Sequence, residues 1–155
     1  MPNIILVQNE YKGTASLRRV IDYALSGALM GGYGLDPNYA FEQMFLVKST
    51  HDKTNGSQLK HFVISFTDQE MLYLDFNDIL QMGFSMGMFL KDYQLIYGIH
   101  LNTQHVHMHC VMNTVSFRDG HKFCDGLKAF YSLCGFLNKE YPNLRTYLRH
   151  PDSFK

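Results

Sequence analysis

The chain has 155 residues, the size of one domain, and its 46% of hydrophobic residues suffices for a core of its own. Fourteen basic residues balance fourteen acidic ones, which argues against a generic high-affinity binder of nucleic acid but leaves room for a local basic patch. Three cysteines without a C-x-x-C spacing favour a reduced, cytoplasmic protein, and no apolar run approaches the roughly 20 residues of a membrane span, so we expect no membrane insertion.

The first predicted helix follows a short strand. Residues 3–7 form an apolar run bounded by polar residues, which is typical of a buried strand. Thr14 or Ser16 can cap a helix that stops at Gly27. An apolar stripe with helical spacing runs along it and comprises Leu17, Val20, Ile21, Ala24 and Leu25. Tyr23 lies roughly 130° away from that stripe, so we expect its side chain outside the core.

The middle of the chain predicts a link, a helix, a strand and a further helix. Residues 27–35 are rich in glycine and are expected to form the link. The pair Asp36-Pro37 marks the start of a helix over residues 36–49. Residues 59–67 alternate in polarity, as expected for a strand in the middle of a sheet. A third helix is predicted over residues 75–91.

The last part of the chain predicts a hairpin and a final helix. Residues 93–101 and 105–117 are predicted strands, and because only three residues separate them they should be antiparallel neighbours. Asp125 is expected to cap a helix that ends near Glu140. The order of elements indicates an α+β fold, with an antiparallel central sheet flanked by helices, in a single domain over residues 1–155.

The predicted hairpin carries a cluster of histidines. His105, His107 and His109 recur at every second position, so in a strand their side chains would share one face. His100 lies near the end of the preceding strand, and a short turn would bring it beside the other strand. Imidazole is the commonest metal-ligating side chain at neutral pH. The pattern predicts a cation site built from His100, His107 and His109, whereas His105 could equally be a solvated histidine.

Three motifs follow one another along most of the chain, from about residue 3 to residue 141. The longest joins His100-x-Asn102-x-x-His105-x-His107-x-His109 to Asn113 and Val115 and continues into the segment FRDGHKF at 117–123. Before it come Lys60-His61-Phe62-x-x-Ser65-Phe66 and, on the first helix, Ile21-Asp22-Tyr23. In this order the motifs resemble those of conjugative relaxases, the mobilisation-type enzymes of the HUH endonuclease superfamily. The longest motif is the specific one.

The resemblance implies a two-layer relaxase sandwich, an activity and a cofactor. Relaxases hold a divalent cation with three histidines, here His100, His107 and His109; Mn²⁺ or Mg²⁺ is expected, with Zn²⁺ as an alternative. A tyrosine, here Tyr23, would attack the scissile phosphate of single-stranded DNA at an origin of transfer and remain joined to the 5′ end. The further partners implied are accessory DNA-binding proteins and a conjugative coupling protein.

Other residues are expected to support this site. The candidates for orienting a ligand or moving a proton are Asp22, Asn102, His105 and Asn113. Many relatives have aspartate where Asn102 stands, and because an amide cannot take a proton, the identity of the general base stays open. The candidates for contacting DNA are Arg18, Arg19, His61, Ser65 and Lys122.

Other functions stay open on the sequence. Rolling-circle initiators and single-strand transposases share this chemistry but usually place the nucleophile after the histidines, where Tyr131 and Tyr141 lie. A three-histidine cupin oxygenase would need a glutamate soon after the H-x-H pair, which residues 110–113 lack. A catalytically impaired module that binds origin DNA would agree with Asn102 and the neutral charge. The chain is either the N-terminal domain of a longer relaxase or a compact family member.

Overall fold

Six strands and four α-helices make up the part of the chain that the structure, a computed structural model, describes: residues 3–7, 11–101 and 104–149. The strands are β1 (Asn3–Val7), β2 (Leu29–Tyr33), β3 (Leu59–Phe66), β4 (Leu95–His100), β5 (Val106–Asn113) and β6 (Tyr147–Arg149). The helices are α1 (Thr14–Leu25), α2 (Ala40–Thr50), α3 (Phe76–Leu90) and α4 (Leu127–Glu140), and two 3₁₀ turns cover Pro37–Tyr39 and Glu70–Leu72. The predicted α+β class is confirmed.

The strands form one sheet in the order β2-β4-β5-β3-β1-β6. All neighbouring strands are antiparallel except β1 and β6, which run parallel at one edge. The predicted hairpin pairs β4 with β5, and β3 lies in the middle of the sheet as expected. The antiparallel central sheet is therefore confirmed, and it is open rather than the closed barrel of a cupin.

Helices flank the sheet on both faces, so the fold has three layers rather than the two that the resemblance implies. On one face α3 and α4 cover the larger core, in which Phe62, Met108 and Phe130 are fully buried. On the other face α1 and α2 cover a smaller core that includes Ile21 and Val111. Because successive residues of a strand point to opposite faces, the histidines of β5 that alternate with Met108 face the α1 side of the sheet.

Glycines let two helices lie directly on the sheet. A Cβ atom at Gly98 of β4 would collide with the carbonyl oxygen of Ala24, near the end of α1. On the other face, a Cβ atom at Gly83 of α3 would lie only 2.6 Å from the Tyr97 ring. The end of α1 is thereby fixed above β4, one strand away from the histidines of β5.

Three of the predicted local features are wrong. The supposed link over residues 27–35 contains β2, which pairs with β4 along its whole length and has Gly31 beneath the Tyr97 ring. Neither Thr14 nor Ser16 caps α1, since the N-cap is Gly13 and both residues lie inside the helix. The N-cap of α4 is Gly126 rather than Asp125. The glycines of β2 have no β-branched or aromatic side chain that would indicate a strand. A glycine N-cap has no side-chain oxygen that would mark the start of a helix.

Two acidic caps occur as the chain suggests. Asp36 accepts a hydrogen bond from the Asn38 amide at the start of the first 3₁₀ turn, which leads into α2. Asp75 and Asp78 form a reciprocal capping box at the start of α3.

None of the helices within the described ranges has the length and apolarity that a membrane span requires.

Candidate functional site

Three histidines come together on the α1 face of the sheet. The register of the hairpin places His100 of β4 directly opposite His107 of β5 and places Gly98 opposite His109. The ring centroids of His100 and His109 are 4.4 Å apart, and those of His107 and His109 are 6.4 Å apart. The side chains predicted to bind a cation are thus neighbours in space.

His100 is held by the end of α1. It is buried, and its Nε2 atom lies 3.0 Å from the carbonyl oxygen of Ala24. A carbonyl oxygen can only accept, so Nε2 of His100 carries the proton and donates this hydrogen bond. The lone pair of His100 is then on Nδ1, which is the nitrogen that could ligate a cation.

His109 is held by a fourth histidine, His61 of β3. The Nδ1 atom of His109 lies 3.1 Å from Nε2 of His61, whose own Nδ1 lies 3.4 Å from the Tyr11 hydroxyl. His61 is only 8% exposed. The sequence suggested His61 as a contact for DNA, whereas the fold places it behind His109 within the site. Its partnership depends on the register between β3 and β5, which local patterns do not reveal.

Burial keeps the imidazoles of His61, His107 and His109 neutral. It lowers the pKa of His109 to about 3 and that of His61 to about 4, and the neighbouring histidines lower both further. Burial also lowers the pKa of His107. At neutral pH all three side chains are therefore uncharged, which is the form that ligates a metal ion.

Tyr23 stands beside the histidines at the end of α1. Its ring centroid is 5.1 Å from that of His100 and 5.1 Å from that of His109, and its side chain is 50% exposed. With Gly27, His100 and Leu101 it lines an open cleft of about 260 Å³. Because the apolar stripe of α1 packs on the sheet, Tyr23 stays at the edge of the helix, where a ligand could reach it.

The histidines lie together without a formed coordination group. Within the described ranges, no set of three or more His, Cys, Asp or Glu side chains is arranged to hold a metal ion. One nitrogen of His100 contacts the Ala24 carbonyl, and one nitrogen of His109 contacts His61. The donor set itself fits a divalent cation, because it supplies three imidazoles, and in His100 and His109 one ring nitrogen is already engaged in a hydrogen bond that fixes the ring.

The expected supporting residues are scattered. Asn113 is buried near the far end of β5, six residues and about 20 Å from His107. Its partners there include Lys48 and Gln94, not a histidine of the site. Asp22 is exposed on α1 beside Tyr23, and His105 is partly buried just before β5. Asn102 lies outside the described residues.

Lys48 of α2 is fully buried, and no pattern in its surrounding sequence indicates this. Its Nζ atom donates to Asn113 Oδ1 at 2.6 Å and to the carbonyl oxygen of Gln58 at 2.8 Å. Burial, helped by the charge of Lys122, lowers its pKa from 10.5 to about 7. This network ties α2 to the end of the sheet opposite the histidines.

The predicted DNA contacts also lie in different places. Arg18 and Arg19 are exposed on α1, and the guanidinium of Arg18 lies 4.1 Å from the centre of the Phe41 ring. Ser65 is buried opposite His107. Lys122 donates to the Asn55 carbonyl at 2.7 Å, at the end of the sheet away from the site. Only the two arginines share a helix with Tyr23.

Two tyrosines that follow the histidines in sequence lie elsewhere. Tyr131 is exposed on α4, and Tyr141 follows the last residue of that helix. The buried side of α4 packs into the larger core, on the face of the sheet opposite the histidines. Tyr23 is thus on the histidine side of the sheet, and Tyr131 belongs to the opposite layer.

Comparison with known proteins identifies a matching family. A family model described as the MobA/VirD2-like nuclease domain of relaxases matches residues 24–141, which include the three histidines and begin one residue after Tyr23. No solved structure matches the chain.

Two similar proteins, each called protein rlx, come from Staphylococcus aureus. One is 29% identical over 112 residues, which cover 71% of this chain and 34% of the relative. The other is 25% identical over 130 residues, which cover 83% of this chain and 38% of the relative. The chain thus spans well under half of the length of either protein. Because the family model covers most of its residues, the chain belongs to the MobA/VirD2-like relaxase nuclease-domain family.

Proposed function

We propose that the chain nicks one DNA strand at an origin of transfer by tyrosine transesterification. The observation that carries the proposal is the position of Tyr23, whose half-exposed ring packs against the rings of His100 and His109 at 5.1 Å each. Membership of the relaxase family supports nuclease activity in general. The contact between the tyrosine and the histidines supports Tyr23 as the nucleophile.

The proposed step exchanges one phosphoester for another. The hydroxyl oxygen of Tyr23 forms a bond to phosphorus and loses its proton, while the bond from phosphorus to the 3′ oxygen of the preceding nucleotide breaks. That oxygen takes up a proton and leaves as a 3′-hydroxyl, and the 5′ end stays joined to Tyr23. Since the number of phosphoester bonds is unchanged, the reverse step can rejoin the strand.

His100, His107 and His109 would hold a divalent cation, with Mn²⁺ or Mg²⁺ as the expected ion and Zn²⁺ as an alternative. When bound, such an ion supplies positive charge that stabilises the attacked phosphate. The hydrogen bond from His100 to the Ala24 carbonyl supports this role, because it fixes the ring while leaving Nδ1 as the donor atom.

The partner would be single-stranded DNA at the origin of transfer. Arg19 lies one turn before Tyr23 on the exposed side of α1, so it can contact a phosphate of the strand that reaches the tyrosine. Accessory DNA-binding proteins and a conjugative coupling protein are proposed as partners of a longer protein.

A rolling-circle initiator or transposase that uses a downstream tyrosine has less support. Such an enzyme would need Tyr131 or Tyr141 beside the histidines, but α4 packs on the opposite face of the sheet.

The test uses a single-stranded oligonucleotide that carries the cognate origin and a fluorophore at its 3′ end, with Mn²⁺. Wild type should retain the label on the protein in a denaturing gel, because the fragment joined to Tyr23 carries the 3′ label. Tyr23→Phe should lose the adduct, whereas Tyr131→Phe should keep it. A labelled adduct that survives in Tyr23→Phe would exclude Tyr23 as the nucleophile. Origin binding without an adduct in wild type would instead favour a catalytically impaired binding module.

A further inference from the structure

His61 occupies a position where an apolar residue would be expected. It lies on β3, on the α1 face of the sheet, and its register partner on β5 is the fully buried Val111. Burying an imidazole there costs free energy unless its nitrogens find partners. Those partners are Tyr11 and His109, so the polar side chain is committed to a chain of contacts that ends in the histidine site.

The contact between the two histidines admits one proton. A hydrogen bond between two ring nitrogens 3.1 Å apart holds a single proton, so either Nδ1 of His109 donates to Nε2 of His61, or Nε2 of His61 donates to Nδ1 of His109. In the first arrangement the lone pair of His109 lies on Nε2, on the far side of its ring from His61. In the second arrangement Nε2 of His109 carries the proton and cannot bind a cation. Cation binding through Nε2 of His109 therefore requires His61 to be the acceptor.

We propose that His61 is a positioning residue that accepts a hydrogen bond from His109 and so holds Nε2 of His109 as a metal-binding atom. The Nδ1–H group of His61 is then directed at the Tyr11 hydroxyl oxygen, 3.4 Å away. His61 acts on His109 as the Ala24 carbonyl acts on His100, since each accepts the proton on the nitrogen turned away from the cation. The proposal rests on the cation site of the proposed function.

Two substitutions separate this role from simple packing. In His61→Gln, the side-chain oxygen can reach the place of Nε2 and accept the same hydrogen bond. His61→Leu fills a similar volume without an acceptor. Loss of a hydrogen-bonding partner behind a ligand typically weakens metal binding 10- to 100-fold. We expect that loss for Zn²⁺ and Mn²⁺ in His61→Leu and a recovery to within about threefold of wild type in His61→Gln.

The direct readout is the protonation of the His109 ring, measured by long-range ¹H–¹⁵N NMR of the wild-type protein with Zn²⁺ as a diamagnetic probe and without DNA. We expect a proton on Nδ1 of His109 and Zn²⁺ on Nε2. Calorimetric titration with Zn²⁺ and Mn²⁺ then compares the two variants, whose folding is checked by circular dichroism. The NMR measurement needs no variant, so it decides the point even if His61→Leu does not fold.

The outcomes separate this proposal from the proposed function. Zn²⁺ bound through Nδ1 of His109, or equal affinity in wild type and a folded His61→Leu, would overturn the role of His61 while leaving Tyr23 untouched. A wild-type protein that binds neither ion would overturn the cation site and the role of His61 together. An adduct that does not depend on Tyr23 would overturn only the assignment of the nucleophile.

Discussion

The ring of Tyr23 packs against the ring of His100 at 5.1 Å because the end of α1 lies directly on β4. Two contacts hold it there: the hydrogen bond from His100 to the Ala24 carbonyl and one from the Ala28 amide to the Ile99 carbonyl at 2.8 Å. Gly98 permits this approach, since any side chain at that position would meet the Ala24 carbonyl. The distance between Tyr23 and the histidines therefore depends on one glycine that has no side chain in the cleft.

Gly98→Ala should push α1 away from β4. Overpacking of this kind costs about 1–3 kcal/mol of unfolding free energy, and the displaced tyrosine should form the DNA adduct on the order of 10- to 100-fold more slowly. Urea denaturation and a time course of adduct formation measure the two effects.

Gly135→Ala is the matched control for this substitution. Gly135 lies within α4, and apart from its chain neighbours and the backbone of its own helix no heavy atom lies within 4 Å of its potential Cβ. Alanine there should therefore stabilise the helix by about 0.5–1 kcal/mol. It should leave adduct formation unchanged. If Gly98→Ala forms the adduct at the wild-type rate, the close approach of α1 is not what positions Tyr23.

The buried Lys48 should make the free energy of unfolding increase with pH. Its pKa is lowered from 10.5 to about 7 in the folded state, so between these values the unfolded chain binds more protons than the folded one. The free energy of unfolding should therefore rise as the pH increases above about 7. Below about pH 7 Lys48 is charged in both states, so the full cost of burying the charge lowers the stability there.

Lys48→Met tests this by removing the titrating group while keeping similar length. Urea denaturation is done at pH 7 and pH 8.5. The buried thiol of Cys110, whose pKa burial raises, begins to contribute near the pKa of a free thiol, but it is present in both proteins, so its contribution cancels in the comparison. Wild type should gain stability relative to Lys48→Met as the pH rises over this interval. Parallel pH profiles for the two proteins would show that Lys48 keeps an ordinary pKa in the fold.

The part of the site that was predictable is the part encoded by neighbours in sequence. The alternation of His107 and His109, the short hairpin and the position of Tyr23 outside the apolar stripe of α1 are all local patterns, and the fold bears out their geometry. The role of His61 could not be inferred in this way, because its contact joins β3 to β5 across 48 positions of sequence.

The same limit explains the missed strands. Gly31 and Gly32 of β2 give no β signal, and the strand exists because it pairs with β4 along the edge of the sheet. The strand β6 has only three residues, and its parallel pairing with β1 joins the two ends of the described chain. Lys48 likewise lies at a buried position of α2, and its partner Asn113 is on β5, 65 positions away in sequence.

Asn113 should contribute to the free energy of unfolding and not to the affinity for the cation. It accepts a hydrogen bond from Lys48 at 2.6 Å and donates to Gln94 at 2.9 Å, about 20 Å along β5 from His107. Asn113→Ala should lower the free energy of unfolding by about 1–3 kcal/mol because buried partners lose their hydrogen bonds. The affinity for Mn²⁺, measured by calorimetry, should stay within about twofold of wild type. A tenfold loss of Mn²⁺ affinity in a folded Asn113→Ala protein would restore Asn113 to the cation site.

Arg19 should contribute to DNA binding through charge alone. It lies one turn before Tyr23 on the exposed side of α1, whereas Arg18 already contacts the Phe41 ring and lies 3.7 Å from Glu42. In a Tyr23→Phe background, chosen so that cleavage by the proposed nucleophile does not interfere, Arg19→Ala should weaken binding of the origin strand. It should also reduce the slope of log affinity against log salt concentration by about 1, the amount for one phosphate contact. Fluorescence anisotropy over a range of NaCl concentrations measures both quantities.

Lys122→Ala is the matched control, because Lys122 is engaged with the Asn55 carbonyl at the opposite end of the sheet. Equal losses for the two substitutions would mean that the strand does not follow α1 to Tyr23.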